Sequence, residues 1–249
     1  MGDVLQKERV KLGNYLVDIR KASAAEGKPS ILLIHGIGVA GDYFLPFAEL
    51  LAPDYDVRII DMPGYGKTPR PDHALPPVEL ADVAAQYLMI SGLKSVTVIG
   101  QSMGCQTAVH LASRYTELCK NVILIGPTVN RQERSLFMQA LRLFQDSIRE
   151  PTSVNKIILR DYFRMGIGRF LKTAVYMVSD HIEEPLKDIS VPVLLVRGSK
   201  DVIVPRQWTK YLEGLNKRIS AAEIEGGPHN IQYTHPKELL AVCNDFLKR

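Results

Sequence analysis

An apolar run, Val96-Thr97-Val98-Ile99, ends in Gly100-Gln101-Ser102-Met103-Gly104 and passes without a spacer into a helix-like stretch, Cys105 to Tyr115. A strand can turn this sharply into a helix only where side chains are absent, because a Cβ at either glycine would strike the neighbouring strand or helix. The serine between the glycines is then held in strained backbone with its hydroxyl exposed, the geometry of a nucleophile elbow. G-x-S-x-G also occurs in plain glycine-rich turns, so its meaning depends on what else the chain supplies.

A serine hydroxyl attacks well only if a base takes its proton, and the base needs an acid to fix its tautomer and stabilise the imidazolium. Two downstream segments provide them in order. Pro192-Val193-Leu194-Leu195-Val196-Arg197-Gly198 reads as a buried strand, and the turn Ser199-Lys200-Asp201 presents Asp201 where strand gives way to loop. Ala221 to Glu225 reads as a weaker strand, followed by Gly226-Gly227-Pro228-His229, which leaves His229 on a loop. A lone turn aspartate is usually an Asx-turn or cap residue, and four of the other histidines, His73, His110, His181 and His235, have no comparable setting. The order Ser102, Asp201, His229 is the one associated with elbow-type hydrolases. An oxyanion hole would take one N–H from the residue after the serine and one from a loop following an earlier strand. Ile31-Leu32-Leu33-Ile34 followed by His35-Gly36-Ile37-Gly38 supplies such a loop, making Met103 and Ile37 the expected donors.

With these segments in place, the chain resembles the α/β-hydrolases of the esterase, lactonase and carbon–carbon hydrolase group along nearly its whole length. Asp61-Met62-Pro63-Gly64-Tyr65-Gly66-Lys67-Thr68 is similar to that family's D-x-P-G-x-G-x-S loop, with Thr68 in place of serine, and Cys105 stands where a further glycine is common. The resemblance implies a carboxylic ester, lactone or thioester as substrate. Aspartate-nucleophile relatives, the haloalkane dehalogenases and epoxide hydrolases, are set aside by Ser102. Ring-cleavage dienone hydrolases usually carry tryptophan directly after the histidine, where this chain has Asn230; carbon–carbon hydrolysis stays as an alternative, as does a non-catalytic ligand receptor of the same fold.

Apolar runs recur at 31–34, 57–60, 96–99, 122–125, 193–196 and 221–225, separated by helical patterns such as Leu80, Val83, Ala84, Tyr87 and Leu88. Alternation of this kind predicts an α/β fold with a mostly parallel central sheet flanked by helices. Arg9–Leu12 and Tyr15–Ile19 around Gly13-Asn14 predict an N-terminal hairpin. Between residues 131 and 186 the alternation breaks, which predicts an inserted helical cap, with the core domain formed by 1–130 and 187–249. Expected substrate contacts are His35 and Gly36 at the oxyanion loop, Val202 after the acid, and Phe137, Phe144, Tyr162 and Phe163 of the cap.

From Arg131 to Lys172 the cap carries nine Lys or Arg against four acids, while the whole chain carries +4. Such a segment can steer an anionic ligand or meet an acidic surface, although a solvated helix face has the same composition. The scattered charge does not suggest nucleic acid as a partner. No apolar run is long enough to span a bilayer, and Met1 to Glu8 lacks the basic-then-apolar layout of a signal peptide, which predicts a cytoplasmic protein. Three widely spaced cysteines, Cys105, Cys119 and Cys243, fit buried thiols better than a disulfide frame, and no metal or cofactor is expected. The partners this reading needs are a small ester-type substrate and water; the oligomeric state stays open.

Overall fold

The computed structural model describes residues 5–22 and 27–248. Residues 1–4, part of the stretch read above for a signal peptide, lie outside the described residues.

Eight strands, β1 (Leu5–Leu12), β2 (Tyr15–Ala22), β3 (Ser30–Ile34), β4 (Asp56–Asp61), β5 (Val96–Gln101), β6 (Cys119–Ile125), β7 (Val193–Gly198) and β8 (Ile219–Ile224), form one sheet in the order β1-β2-β4-β3-β5-β6-β7-β8. The β1–β2 hairpin turns at Gly13, whose φ of +56° suits a residue without Cβ, and β2 pairs antiparallel with β4. From β4 to β8 every pairing is parallel.

The central strands are apolar at nearly every position because helices cover both faces. Successive side chains divide between them: Leu32, Ile34, Val98 and Leu124 join one core cluster, Ile31, Leu33, Ile99 and Ile123 the other. The first cluster is closed by α2 (Pro77–Ile90), whose stripe Leu80, Val83, Ala84, Tyr87 and Leu88 is buried as its spacing predicts, and by α3 (Met103–Arg114). On the opposite face lie α1 (Leu45–Leu51) and α10 (Pro236–Leu247), which contribute Phe47, Leu51, Leu239 and Cys243. Between β6 and β7 come α4 (Leu136–Ser147), α5 (Thr152–Met165), α6 (Ile167–Ser179) and α7 (Glu183–Lys187), and between β7 and β8 comes α8 (Arg206–Glu213). The strand predicted at 221–225 begins earlier, because Ile219 pairs with Val193 and its buried side chain extends the core.

Parallel strands bring their carboxyl ends to one edge, where an α/β sheet presents its ligand-binding loops. Here that edge carries the loops after β3, β5, β6 and β7. The loop between β8 and α9 (Ile231–Thr234) joins them.

Candidate active site

Ser102 sits between β5 and α3 with φ 55° and ψ −122°, a conformation side chains rarely adopt. It is held there by neighbours that leave no room for relaxation. Its amide donates to the Ile125 carbonyl at 2.9 Å. A Cβ at Gly104 would lie 2.2 Å from the Ile34 carbonyl oxygen, and one at Gly100 2.3 Å from that of Gly104. Both glycines are therefore required by the crossing of α3 over β3 and β5.

Asp201 and His229, expected as acid and base, are joined by an equally close approach. A Cβ at Gly198 would meet the Gly227 carbonyl oxygen at 2.1 Å, and the Lys200 amide donates to that same oxygen at 2.9 Å. This contact brings the turn after β7 against the loop after β8. Asp201 Oδ1 accepts from the Ile203 and Val204 amides at 2.8 and 3.0 Å, while Oδ2 accepts from His229 Nδ1 at 2.8 Å. In the neutral ring the Nδ1 proton is committed to Asp201 and the lone pair lies on Nε2. His229 Nε2 is buried and has no hydrogen-bond partner.

His229 and Ser102 line a single cavity of about 250 Å³, together with Gly36, Ile37, Phe144 and Tyr162 among others. Ile37 follows β3, and Met103 opens α3, where first-turn amides have no intrahelical acceptor. The Met103 side chain is buried away from the cavity, its sulfur 3.9 Å from the Tyr65 hydroxyl.

Four expected pocket residues are not among those lining this cavity. His35 is fully buried and structural: Nε2 accepts from the Met62 amide at 3.1 Å and Nδ1 donates to the Gly36 carbonyl at 2.9 Å, tying the loop after β3 to the one after β4. Burial depresses its pKa, in keeping with the neutral ring this pairing needs. Val202 packs half-buried against the core, and Phe137 and Phe163 point to solvent, 76% and 78% exposed. Sequence periodicity alone does not say which side of such a helix faces inward.

Several residues that matter at the site carried no sequence signal of their own. The Tyr43 hydroxyl accepts from the Gly36 amide at 2.7 Å and donates to Gln101 Oε1 at 2.8 Å, bracing the loop after β3 against the turn after β5. Gly126, at φ +57°, leaves space for the imidazole: a Cβ there would lie 2.8 and 2.9 Å from His229 Cε1 and Nδ1. Asp146, at the end of α4, and Glu150, just after it, are buried and line the cavity. Glu150 Oε1 accepts from both the amide and the side-chain nitrogen of Asn230 at 2.9 Å, which fixes the residue after the histidine. One oxygen of each carboxylate has no partner. The i, i+4 spacing of this pair was the available clue, hidden in a segment read for its positive charge.

These carboxylates shape the local electrostatics. Burial holds the Asp146 carboxyl up at about 7 against the attraction of His229. Burial alone would push His229 down, but Asp201, supported by Asp146 and Glu150, lifts it to about 9. Among the described residues, no grouping of His, Cys, Asp and Glu is arranged to hold a metal ion. No described helix is long and apolar enough to cross a membrane. Cys105, Cys119 and Cys243 are free and buried, and burial raises all three thiols, Cys119 and Cys243 to about 12.

Comparison with known proteins agrees with this architecture. The chain is 25% identical to the biotin biosynthesis bifunctional protein BioHC of Cellvibrio japonicus over 88% of its own length, and spans 47% of that protein. It is 20% identical to the pimeloyl-[acyl-carrier protein] methyl ester esterase of Photorhabdus laumondii, covering 94% of this chain and 98% of the relative. The enol-lactonase of Burkholderia xenovorans superposes with a TM-score of 0.83 at 17% identity, over 97% of this chain and all of the other. The family model described as alpha/beta hydrolase fold matches residues 29–166, more than half of the sequence, and the chain belongs to that family.

Proposed function

We propose that the protein is a serine hydrolase of small, partly apolar carboxylic esters, with lactones and thioesters in the same chemical reach. The observation that carries this reading is the state of His229: one ring nitrogen is held by Asp201, and the other is buried and unpartnered in the cavity that Ser102 lines. A base in that position has nothing to act on except the serine hydroxyl and what enters the cavity.

In the reaction, His229 Nε2 takes the Ser102 proton as Oγ attacks the ester carbonyl carbon. The Ile37 and Met103 amides receive the oxyanion. The tetrahedral adduct collapses, the C–O bond to the alcohol breaks, and the alcohol leaves with the proton from His229. Water, deprotonated by the same imidazole, then attacks the acyl-enzyme and frees the acid and Ser102. Residues 131–186 act as a lid over a core made of 1–130 and 187–249. Relatives named as esterases and a structural neighbour named as a lactonase support acyl-oxygen cleavage. Asn230, tied to Glu150, occupies the place where dienone hydrolases usually carry tryptophan, and so weighs against carbon–carbon cleavage. Three buried free thiols accord with a reducing, cytoplasmic setting.

The test is hydrolysis of a p-nitrophenyl ester series combined with labelling by a fluorophosphonate. Ser102→Ala should abolish labelling and lower kcat about 10⁶-fold. Turnover within about tenfold of the parent would refute the assignment. Thermal stabilisation by esters without turnover would identify a receptor instead.

A further inference from the structure

Large hydrophobic side chains are distributed unevenly over the surface. Twelve are exposed among the described residues, and ten of them lie between Leu136 and Val175. They follow helical spacing outward. Phe137, Leu141 and Phe144 form the outer stripe of α4, continued by Ile148 just past its end; Leu159 and Phe163 that of α5; Ile167, Leu171 and Val175 that of α6. Since α6 touches both α4 and α5, the stripes belong to one helical layer.

The polarity of α4 is inverted, whereas α5 and α6 also bury apolar residues, among them Val154, Met165, Ala174 and Met177. An ordinary surface helix turns its apolar side to the core, yet α4 sends Gln139 and Asp146 inward and its phenylalanines outward. Charge is sorted in the same sense. All three acids between residues 136 and 175, Asp146, Glu150 and Asp161, are buried, whereas Arg149, Lys156 and Lys172 are exposed. Between residues 136 and 175 the exposed side thus carries apolar and cationic groups and no exposed carboxylate.

We propose that this face docks on an anionic lipid surface. Phe and Leu that insert at the acyl boundary, interleaved with Lys and Arg that meet headgroups, are what holds amphipathic helices at such an interface. A second copy of the chain fits less well, since an isologous pairing would bring cations against cations without acids between them. Phe144 links the face to the chemistry: it lines the cavity and is also 64% exposed. Docking therefore sets the cavity mouth at the lipid boundary, where a substrate with an apolar chain concentrates.

Co-sedimentation with phosphatidylcholine vesicles, with and without phosphatidylglycerol, tests this. Binding should require phosphatidylglycerol and weaken as salt is raised. Lys156→Gln and Lys172→Gln should each lower partitioning about fivefold, and Phe137→Ser with Phe163→Ser at least about tenfold. These side chains are exposed and outside the cavity, so hydrolysis of soluble p-nitrophenyl acetate should be unchanged, which also reports on folding. Failure to bind phosphatidylglycerol vesicles, or binding that the phenylalanine substitutions leave intact, would overturn the proposal. So would a dimer in solution that those substitutions dissociate, because a second copy would then cover the face.

Discussion

Gly126→Ala tests whether the placement of His229 controls turnover. The glycine adopts φ +57°, and an added methyl would sit 2.8 Å from Cε1 and 2.9 Å from Nδ1 of the imidazole. Carbon atoms in good contact are about 3.5–4.0 Å apart, so the ring must retreat by roughly 0.7 Å. It cannot do so freely, because Asp201 Oδ2 holds Nδ1 at 2.8 Å and both side chains are buried. A catalytic group displaced by that distance loses about 10² in rate, and kcat on a p-nitrophenyl ester should fall about a hundredfold. The left-handed backbone adds a cost of about 1–2 kcal/mol, which for a chain of this size lowers Tm by roughly 2–8 °C. Gly92→Ala separates the two effects: Gly92 has φ +66° and nothing within 4 Å of its would-be Cβ. It should show the same loss of Tm with kcat unchanged. A Gly126→Ala variant with kcat within about threefold of the parent would refute the claim that this contact positions the base.

On the proposed reaction His229 must be neutral to act as base, and Asp201, Asp146 and Glu150 lift it to about 9, so kcat/KM should climb with pH toward about 9 and Asp146→Asn should move that limb toward neutrality. The raised His229 pKa contributes stability that is full below the unfolded value near 6.5 and fades as pH passes about 9. Asp146 acts in the opposite sense. Its folded pKa of about 7 exceeds the unfolded value near 4, so the penalty grows across that window, and Asp146→Asn should raise Tm more at pH 8 than at pH 5. Tyr43→Phe removes the hydroxyl between the Gly36 amide and Gln101, and should cost about 1–3 kcal/mol in denaturant melts. It should also reduce kcat, since the loop proposed to hold the oxyanion loses its brace to the turn after β5. Unchanged kcat would argue against that role.

The sheet was legible because its signals are local. Continuous apolar runs such as Ile31–Ile34 and Val122–Ile125 mark strands covered on both faces, and the stripe in Pro77–Ile90 marks a helix covered on one. The geometry placing Ser102 was legible for the same reason, since the glycines on either side of it answer to steric limits within a few residues. The segment 131–186 resisted this reading. Its apolar and aromatic residues were expected to line the pocket or pack against the rest of the chain, but Phe137 and Phe163 face outward while Asp146 and Glu150 face in. Amphipathic spacing specifies that a helix has two sides and leaves open which one meets the core.

By itself the amino-acid order determined where strands, helices and tight turns fall, and hence which serine, aspartate and histidine arrive at the carboxyl edge of the sheet. Only the tertiary structure decided what surrounds them. The room Gly126 leaves for the imidazole, the bracing by Tyr43, the buried carboxylates beside His229 and the removal of His35 to a structural role each depend on atoms brought together from distant parts of the chain. Backbone sterics and side-chain periodicity act over a handful of residues, whereas packing and burial are set by whichever segments the fold places in contact.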